Sequence, residues 1–266
     1  MKQTMNEVSR LIDLLNKKAK LVAMLAPSFP VVYEYPQIVS RLKQLGFLHV
    51  VEVAAGARKT NEAVLALLQD NPQSRFITSP CPSFVRLIRT KHPQLLPYLA
   101  LKADSPMAAT ARIVKEKFPD CAPVFIGPCV VKKSESSEDY PELNILVLTY
   151  KELDTVFDAF HMGEAATQAG DGFDITEQAT RIYPIEGGLT ESSGVRSILK
   201  DEEIRIVSGW KNCEAALLEF EKNPKIRLLD ILFCEGGCIN GPGIVSTLPL
   251  EERKKKTLEF SARKTL

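Results

Sequence analysis

The sequence of 266 residues has few histidines, almost no net charge and no long apolar run. Its three histidines, at positions 49, 92 and 161, are far apart, which argues against a histidine-rich metal site. The net charge of +1 argues against a nucleic-acid-binding surface. The N-terminus lacks the apolar region of a signal peptide, and stretches such as residues 21–27 are too short to span a bilayer. We therefore expect a cytoplasmic protein with no membrane or nucleic-acid partner.

The six cysteines include no C-x2-C pair. Structural disulfides are not expected in a reducing compartment, so cysteines in distinctive local sequences are better interpreted as ligands or redox groups. Cys234 and Cys238 form a C-x3-C pair after an apolar, strand-like run. Nearby glycines, including Gly236 and Gly237, are expected to let backbone N–H groups approach an anion such as a sulfide-rich cluster. Taken alone, the pair is weak support for metal binding, because cysteine is often just a small buried residue.

Short apolar runs alternate with helical patterns, which predicts an α/β protein with parallel strands. We predict strands near residues 21–27, 49–56, 76–79, 123–126, 144–149, 204–207 and 227–233. We predict the main helices near residues 36–45, 84–91, 105–118, 151–160 and 210–220. Residues 134–140 look like a loop, and residues 163–179 like a loop that crosses between domains. The pattern is compatible with two lobes, roughly residues 20–135 and 140–245.

The two ends of the chain are predicted to lie outside these lobes. Residues 1–19 contain an amphipathic helix that begins with the capping-box pattern of Thr4 and Glu7. It is either a packing helix or a connector to an upstream module. Residues 246–266 form a charged tail, whose run at 251–256 is either a solvated helix face or a docking segment.

Two further cysteines follow predicted strands in distinctive sequences. Cys81 lies in T-S-P-C-P-S-F, and Cys129 lies in G-P-C-V-V-K-K. The carboxyl ends of parallel strands face the ligand-binding crevice, so these two cysteines and the C-x3-C pair are expected to meet there. Four thiolates are the ligand complement of a 4Fe-4S cluster. Cys121 and Cys213 fall on the wrong side of their predicted elements and are assigned to core or surface.

The three cysteine segments resemble the signature segments of the catalytic domain of FeFe-hydrogenase large subunits, in the same order and at similar separations. Those family motifs read approximately T-S-C-C-P, M-P-C-x-x-K and M-x-C-x-x-G-C. Weaker similarity at residues 26–27, 105–107 and 186–191 extends the resemblance over residues 20–245. It implies two parallel-sheet lobes with helices on both faces, enclosing an H-cluster. That cofactor is a 4Fe-4S cube bridged by a cysteine to a diiron unit with CO, cyanide and a dithiolate bridge.

The resemblance also implies roles for individual residues. The implied cube ligands are Cys81, Cys129, Cys234 and Cys238, with Cys238 the candidate bridge to a diiron unit. Lys132 matches the family lysine that hydrogen-bonds a diatomic ligand. The positions that match the lining of the diiron pocket are Ala26, Pro27, Ser105 and Pro106.

Several departures from the family pattern bear on activity. Pro80 stands where the family has its proton-donating cysteine, and proline has no exchangeable side-chain proton. The acidic run that carries protons onward in the family aligns with residues 53–58, which contain no carboxylate. Gly127 and Leu232 replace methionines that flank the cluster. The ferredoxin-like cysteines of many family members are missing, so we expect electrons to come from a partner such as ferredoxin or from a fused or associated signalling module.

These observations leave open whether the chain is an enzyme. The leading hypothesis is an iron–sulfur protein that senses redox state or hydrogen, or transfers electrons, with weak or no hydrogen turnover. The alternatives are an active hydrogenase with a different proton path, a scaffold for iron–sulfur assembly, and a cluster-free α/β protein with incidental cysteines.

Overall fold

A computed structural model describes residues 6–163 and 172–264 of the chain, and it contains two parallel β-sheets. The first sheet has the strand order β2-β1-β4-β5, with β1 at Leu21–Leu25, β2 at His49–Glu52, β4 at Ala122–Gly127 and β5 at Leu146–Thr149. The second has the order β3-β7-β6, with β3 at Phe76–Ile77, β6 at Ile204–Ser208 and β7 at Leu228–Leu232. Every pair of neighbouring strands is parallel. The prediction of an α/β protein with parallel strands is confirmed.

Ten helices connect or flank these strands in the described parts of the chain. They are α1 (Glu7–Asn16), α2 (Gln37–Leu45), α3 (Ala54–Asp70), α4 (Pro82–Lys91), α5 (Pro106–Lys117), α6 (Lys132–Ser134), α7 (Tyr150–Ala159), α8 (Gly188–Ser193), α9 (Trp210–Lys222) and α10 (Leu250–Ala262). Helix α5 contacts β1 and β4, and α7 contacts β4 and β5. None of these helices is long and apolar enough to cross a membrane.

The continuous apolar runs of the sequence become fully buried strands. All five residues of β1 and all five of β7 are buried, as expected when a parallel strand is covered on both faces. In register, Leu25 lies beside Glu52 on one side and Ile126 on the other. The parallel strands of each sheet therefore end at a common edge, and the loops that leave those ends carry the cysteines.

Two local predictions are wrong. The strand predicted to reach residue 56 ends at Glu52, because α3 begins at Ala54 and packs closely on α5. A Cβ atom on Gly56 would lie 2.2 Å from the Pro106 carbonyl oxygen, so only glycine allows that helix approach. Residues 134–140 are also not a plain loop, since α6 continues into a π-helical turn at Glu135–Asp139.

The predicted lobes do not follow the sheets. Strand β3 comes early in the chain but pairs with β7 in the second sheet, whereas β5 comes later and pairs with β4 in the first. The chain therefore passes from one sheet to the other and back. Of the predicted crossing loop at residues 163–179, residues 164–171 lie outside the described residues, and Ile175 pairs with Val51 at the end of the first sheet.

Both predicted ends pack on the body of the protein. Helix α1 buries Leu11 and Leu15 in the core of the first sheet, which favours the packing-helix interpretation. Its N-cap is Asn6, whose side chain accepts a hydrogen bond from Ser9 N, while Thr4 lies outside the described residues. Helix α10 buries Phe260 in the same core, so residues 250–262 are not a detached tail.

Candidate metal centre

Three loops that leave strand ends carry the four predicted ligands. Cys81 follows β3 and is the N-cap residue of α4. Cys129 follows β4 of the first sheet, and Cys234 follows β7 of the second. Cys238 opens a short 3₁₀ turn in the same loop as Cys234. The candidate centre therefore lies where loops of the two sheets meet.

Close backbone packing holds the Cys238 loop against the Cys129 loop. Gly243 N donates a 2.7 Å hydrogen bond to the carbonyl oxygen of Pro128, the residue before Cys129. A Cβ atom on Gly243 or Gly241 would lie within 3 Å of that same oxygen. Glycine is therefore required here for close approach of two loops, and the approach brings the Cys129 and Cys238 segments together.

The N–H groups of the loop glycines donate hydrogen bonds within the protein. Gly236 N donates to Ser208 Oγ at 2.9 Å, and Gly237 N donates to the Cys234 carbonyl at 3.0 Å. The amides of Gly241 and Gly243 are likewise used by protein carbonyls. The amides of these four glycines are therefore not free to bind an anion, because the loop uses them for its own fold. The backbone N–H groups near a cysteine sulfur are instead those of Phe233 and Phe84, which lower the pKa of Cys81.

The four thiols lie within electrostatic range of one another. Burial raises the pKa of Cys238 well above its usual value, and Cys81, Cys129 and Cys234 raise it further. Burial, then Cys81 and Cys129, raise the pKa of Cys234 to about 12. Burial and Cys129 also raise the pKa of Cys81, and Lys132 opposes that rise. These mutual effects place the four thiols in one region of the protein, and their service as a common ligand set stays a prediction.

The side chains of the described residues form no ready-made site for a single metal ion. In residues 6–163 and 172–264, no three His, Cys, Asp or Glu side chains are placed to hold one metal ion. Each thiolate of a 4Fe-4S cube binds a different iron, so the ligands of a cube stand farther apart than those of one ion. Four thiols within electrostatic range of one another, beside a lysine, are of the ligand type that such a cube requires.

The other two cysteines are not part of this set. Cys213 is fully buried in α9, and its Sγ lies 3.8 Å from the Leu232 carbonyl oxygen as a weak donor. It is closer to the centre than predicted, because α9 starts at the carboxyl end of β6, and Cys81 and Cys234 contribute to its raised pKa. Cys121 is half-buried and precedes β4, at the opposite end of that strand from Cys129.

A small apolar cavity adjoins the cysteines. It has a volume of about 70 Å³, and Cys129 and Cys238 form part of its wall. The predicted pocket residues found in its wall are Ala26, Pro27, Pro106 and Lys132. Ser105 is not in the wall, since it caps α5 by accepting a hydrogen bond from Ala108 N. The structure thus brings together most of the residues matched to the diiron pocket.

The Lys132 side chain is buried and makes one hydrogen bond and one ion pair. Its side-chain Nζ donates to the Pro80 carbonyl at 3.2 Å and lies 2.5 Å from Glu135 Oε2. Lys132 is 7% exposed and Glu135 is 4% exposed. The ammonium therefore lies beside the cavity with a buried carboxylate behind it.

Residues at which the sequence departs from the family pattern form an apolar part of the cavity wall. Pro80, Val53 and Ala57 all line the cavity. The nearest carboxylate along the chain, Glu52, is buried and holds Arg181 through contacts of 2.6 Å and 3.0 Å. No exchangeable proton is offered at these wall positions.

Three supporting residues escaped the sequence analysis. Glu135 could have been found from its i,i+3 spacing to Lys132, had residues 132–139 been recognised as helical. Tyr183, in the cavity wall, follows no strand and carries no signal in a single sequence. Arg253 of α10 donates to Asn240 Oδ1 at 2.9 Å and so supports the Cys238 turn from a segment taken for a tail.

Comparison with known proteins matches most of the chain to one protein family. Residues 19–242 match the sequence model of the family described as the C-terminal domain of the iron-only hydrogenase large subunit. The chain is similar to iron hydrogenase 1 of Clostridium pasteurianum, at 25% identity over 263 residues, covering 78% of this chain and 45% of that protein.

Two further relatives are named as iron–sulfur cluster assembly factors. The cytosolic Fe-S cluster assembly factor NAR1 of Encephalitozoon cuniculi is 26% identical over 192 residues, covering 64% of this chain and 52% of that protein. The probable cytosolic Fe-S cluster assembly factor oxy-4 of Caenorhabditis elegans is 23% identical over 279 residues, covering 85% of this chain and 61% of that protein. The chain spans about half the length of the curated relatives it matches.

Among solved structures, a variant of FeFe-hydrogenase HydA1 from Chlamydomonas reinhardtii superimposes with a TM-score of 0.70. The match covers 97% of this chain and 89% of that one, at 17% sequence identity. At this identity the likeness concerns the fold alone, and it confirms the predicted fold class.

Proposed function

This chain belongs to the family of C-terminal domains of iron-only hydrogenase large subunits, and on that premise we propose that it binds a 4Fe-4S cluster through Cys81, Cys129, Cys234 and Cys238. The observation that carries the proposal is the meeting of three cysteine loops from two sheets beside a small apolar cavity. A cube held by four thiolates supplies a centre for electron exchange.

The residues around the thiols suit a charged cluster. The Lys132 ammonium is buried close enough to the Cys81 and Cys238 thiols to lower their pKa values, so it balances negative charge. Cys81 is buried and Cys238 is half-buried, which limits the access of water to the sulfurs. Burial, hydrogen bonds and nearby charge are the means by which proteins set the potential of such clusters.

We further propose a role in redox or hydrogen sensing, or in electron transfer, with weak or no hydrogen turnover. Support comes from the cavity wall, where Pro80, Val53 and Ala57 offer no proton and Glu52 is occupied by Arg181. General acid–base transfer contributes about 10²–10⁴-fold to rates, so a wall without such groups disfavours rapid turnover. The proposed partner is a redox protein such as ferredoxin, or a fused or associated signalling module, in the cytoplasm.

A role in iron–sulfur assembly is the second candidate. It is favoured by the similarity to NAR1 and oxy-4, which are named as assembly factors and match 64% and 85% of this chain. The cysteine site serves either role, because a cube can be a redox centre or a cargo. The candidates differ in whether the cluster leaves the protein.

Anaerobic reconstitution with iron and sulfide tests cluster binding. We expect about four irons and four sulfides per chain for the cube alone, and about six irons where a diiron unit is also present. Alanine variants of each of the four cysteines are expected to lose iron and the electron paramagnetic resonance signal of the reduced cube. Cys121→Ala is the matched control, because Cys121 lies at the other end of β4 and should leave both unchanged. Full iron content in Cys129→Ala and Cys234→Ala would contradict the ligand assignment.

Two further assays separate the roles. Rapid dye-linked hydrogen oxidation together with CO and cyanide infrared bands would support an active hydrogenase and overturn the proposed weak turnover. Transfer of the intact cluster to an apo-ferredoxin, faster than its loss to a chelator, would support assembly. Reversible reduction without transfer is the result expected of a sensor or electron carrier.

A further inference from the structure

The cavity beside the cysteines is small compared with the diiron unit that the family resemblance implies. Its volume is about 70 Å³, and its wall includes Cys238, the candidate bridge to that unit. An apolar cavity that holds a benzene-sized ligand measures about 150 Å³. A diiron unit with a dithiolate bridge, carbonyl ligands and cyanide ligands has more non-hydrogen atoms than benzene. The residues present therefore do not fit the diiron unit.

The ring of Phe125 takes up space that another side chain has in the family pattern. Phe125 lies on β4, is 3% exposed and lines the cavity. Gly127, two positions further along the strand, stands where the family has a methionine. A Cβ atom on Gly127 would lie 2.6 Å from Cε1 and Cζ of the Phe125 ring and 3.0 Å from Cβ of Ala26. The Phe125 ring therefore fills the place where a methionine side chain would begin.

The rest of the wall is rich in proline and tied to other segments. Its five prolines are Pro27, Pro80, Pro106, Pro128 and Pro184. The proline ring fixes φ, so these positions have little freedom to adjust. Three of the proline carbonyl oxygens accept hydrogen bonds from other segments: Pro80 from Lys132 Nζ, Pro128 from Gly243 N and Pro184 from Ile239 N. Widening the cavity at these three positions would strain or break those hydrogen bonds.

The lysine that matches the family's ligand-binding lysine already has partners in the protein. Lys132 Nζ donates to the carbonyl oxygen of Pro80 at 3.2 Å and lies 2.5 Å from Glu135 Oε2. A buried ammonium needs an acceptor and a counter-charge, and these two groups supply both. Lys132 is therefore stable in its buried position without a diatomic ligand beside it.

We propose that the ring of Phe125 closes the diiron side of the site, so that the chain holds a 4Fe-4S cube without a diiron unit. The inference rests on the proposed cluster site and deepens it, because a cube alone and a cube with a diiron unit need the same four cysteines. Cys238 is then a ligand of the cube only. A cube of this kind supplies a centre for electron exchange.

The first measurement uses wild-type protein. It is reconstituted anaerobically with its cube, treated with a synthetic diiron dithiolate complex that carries carbonyl and cyanide ligands, and separated from unbound complex by gel filtration. We expect iron to stay at about four per chain, with no carbonyl or cyanide infrared bands in the protein fraction. An FeFe-hydrogenase that contains only its cube is treated in parallel as the positive control. About six irons per wild-type chain, together with protein-bound infrared bands, would overturn the inference.

The second measurement enlarges the cavity. Phe125→Ala removes a benzene-sized ring and brings the volume to about 200 Å³. We expect this variant to take up the complex, with iron rising from about four to about six per chain and with carbonyl and cyanide bands. The matched control is Phe157→Ala, because Phe157 is fully buried in the same core but is not in the cavity wall. The control is expected to behave as the wild type does.

Both variants are compared at full cube content, which also verifies that they fold. At that content, absence of the complex from Phe125→Ala would overturn the role assigned to the ring. Uptake by Phe157→Ala equal to that of Phe125→Ala would overturn it as well. The wild-type result needs no variant, so a variant that fails to fold leaves the inference open to refutation.

A measurement on apo protein separates the inference from the proposed function. Benzene is titrated into apo wild type and apo Phe125→Ala, and the methyl signals of the wall residues Val53 and Leu232 are followed by nuclear magnetic resonance. We expect these signals to shift in Phe125→Ala and to stay unchanged in the wild type. If the wild type takes up no cube, the proposed function fails, while this titration still tests the size of the cavity. Benzene binding at these methyl groups in the wild type would overturn the inference.

Discussion

Glu135→Gln should destabilise the apo protein far more than loss of a surface ion pair does. Glu135 is 4% exposed and lies 2.5 Å from the ammonium of Lys132, which is itself buried. At this separation, an effective dielectric constant of about 20 gives a Coulomb attraction of about 6–7 kcal/mol. The free-energy cost of removing both charged groups from water offsets part of this attraction. The substitution leaves the ammonium buried without its counter-charge, and the expected loss is about 3–5 kcal/mol.

A double-mutant cycle isolates the pair. Lys132→Met should also cost about 3–5 kcal/mol, because it leaves the carboxylate unpaired. The double variant, which buries no unpaired charge, should lie within about 2 kcal/mol of the wild type. The matched control is the exposed pair of Arg205 and Glu219, at 2.9 Å, for which coupling below about 1 kcal/mol is expected.

Urea unfolding of the apo proteins, followed by circular dichroism, measures all of these variants. A Glu135→Gln loss no larger than that of the surface control would refute the reasoning, because it would mean that the pair is solvated. The double variant also tests whether Lys132 influences the reduction potential of the cluster. Removal of a cation beside the thiolates should move the cube potential to a more negative value, measured by redox titration.

Two further predictions concern groups whose pKa is raised by burial. With a pKa of about 12, Cys234 is about 10⁻⁴ thiolate at pH 8, against about a quarter for a free thiol. Iodoacetamide should therefore label Cys234 about a thousandfold more slowly in folded apo protein than in urea, and equal rates by mass spectrometry would contradict this. Burial raises the pKa of Asp230, so this side chain stays protonated to a higher pH in the folded state than in the unfolded state. Stability should fall as pH rises above about 4, and Asp230→Asn should flatten that fall in urea titrations.

Continuous apolar runs made the strands predictable. Residues 21–25 and 228–232 are buried on both faces, so their whole sequence is apolar or nearly so, and Pro27 and Cys234 lie two residues beyond their carboxyl ends. The allocation of strands to sheets was not predictable. Strand β3 has two residues, and its partner β7 lies about 150 residues away, so no local pattern records the pairing.

The candidate site was predictable only in part. The cysteines could be placed because each follows a strand end, a position that parallel topology turns towards one crevice. The hydrogen-bond partners of the glycine amides were not predictable, because the sequence shows that a backbone is free to bend but not which carbonyl its N–H will contact. Gly237 illustrates this, since its N–H bonds to Cys234 O while its missing Cβ makes room for Pro184. Tyr183 escaped notice because its place in the cavity wall is a property of three-dimensional packing.

The thiols proposed to hold a cluster and the apolar residues Pro80, Val53 and Ala57 occupy different parts of the site. The thiols and Lys132 share one region, in which burial and charge act on sulfur. The wall formed by Pro80, Val53 and Ala57 is apolar. The nearest carboxylate along the chain that could relay protons through this wall is that of Glu52, and it is paired with Arg181. An electron can reach a cube without a proton, but hydrogen chemistry needs both. Electron exchange, rather than hydrogen turnover, is therefore the activity expected under the proposed function.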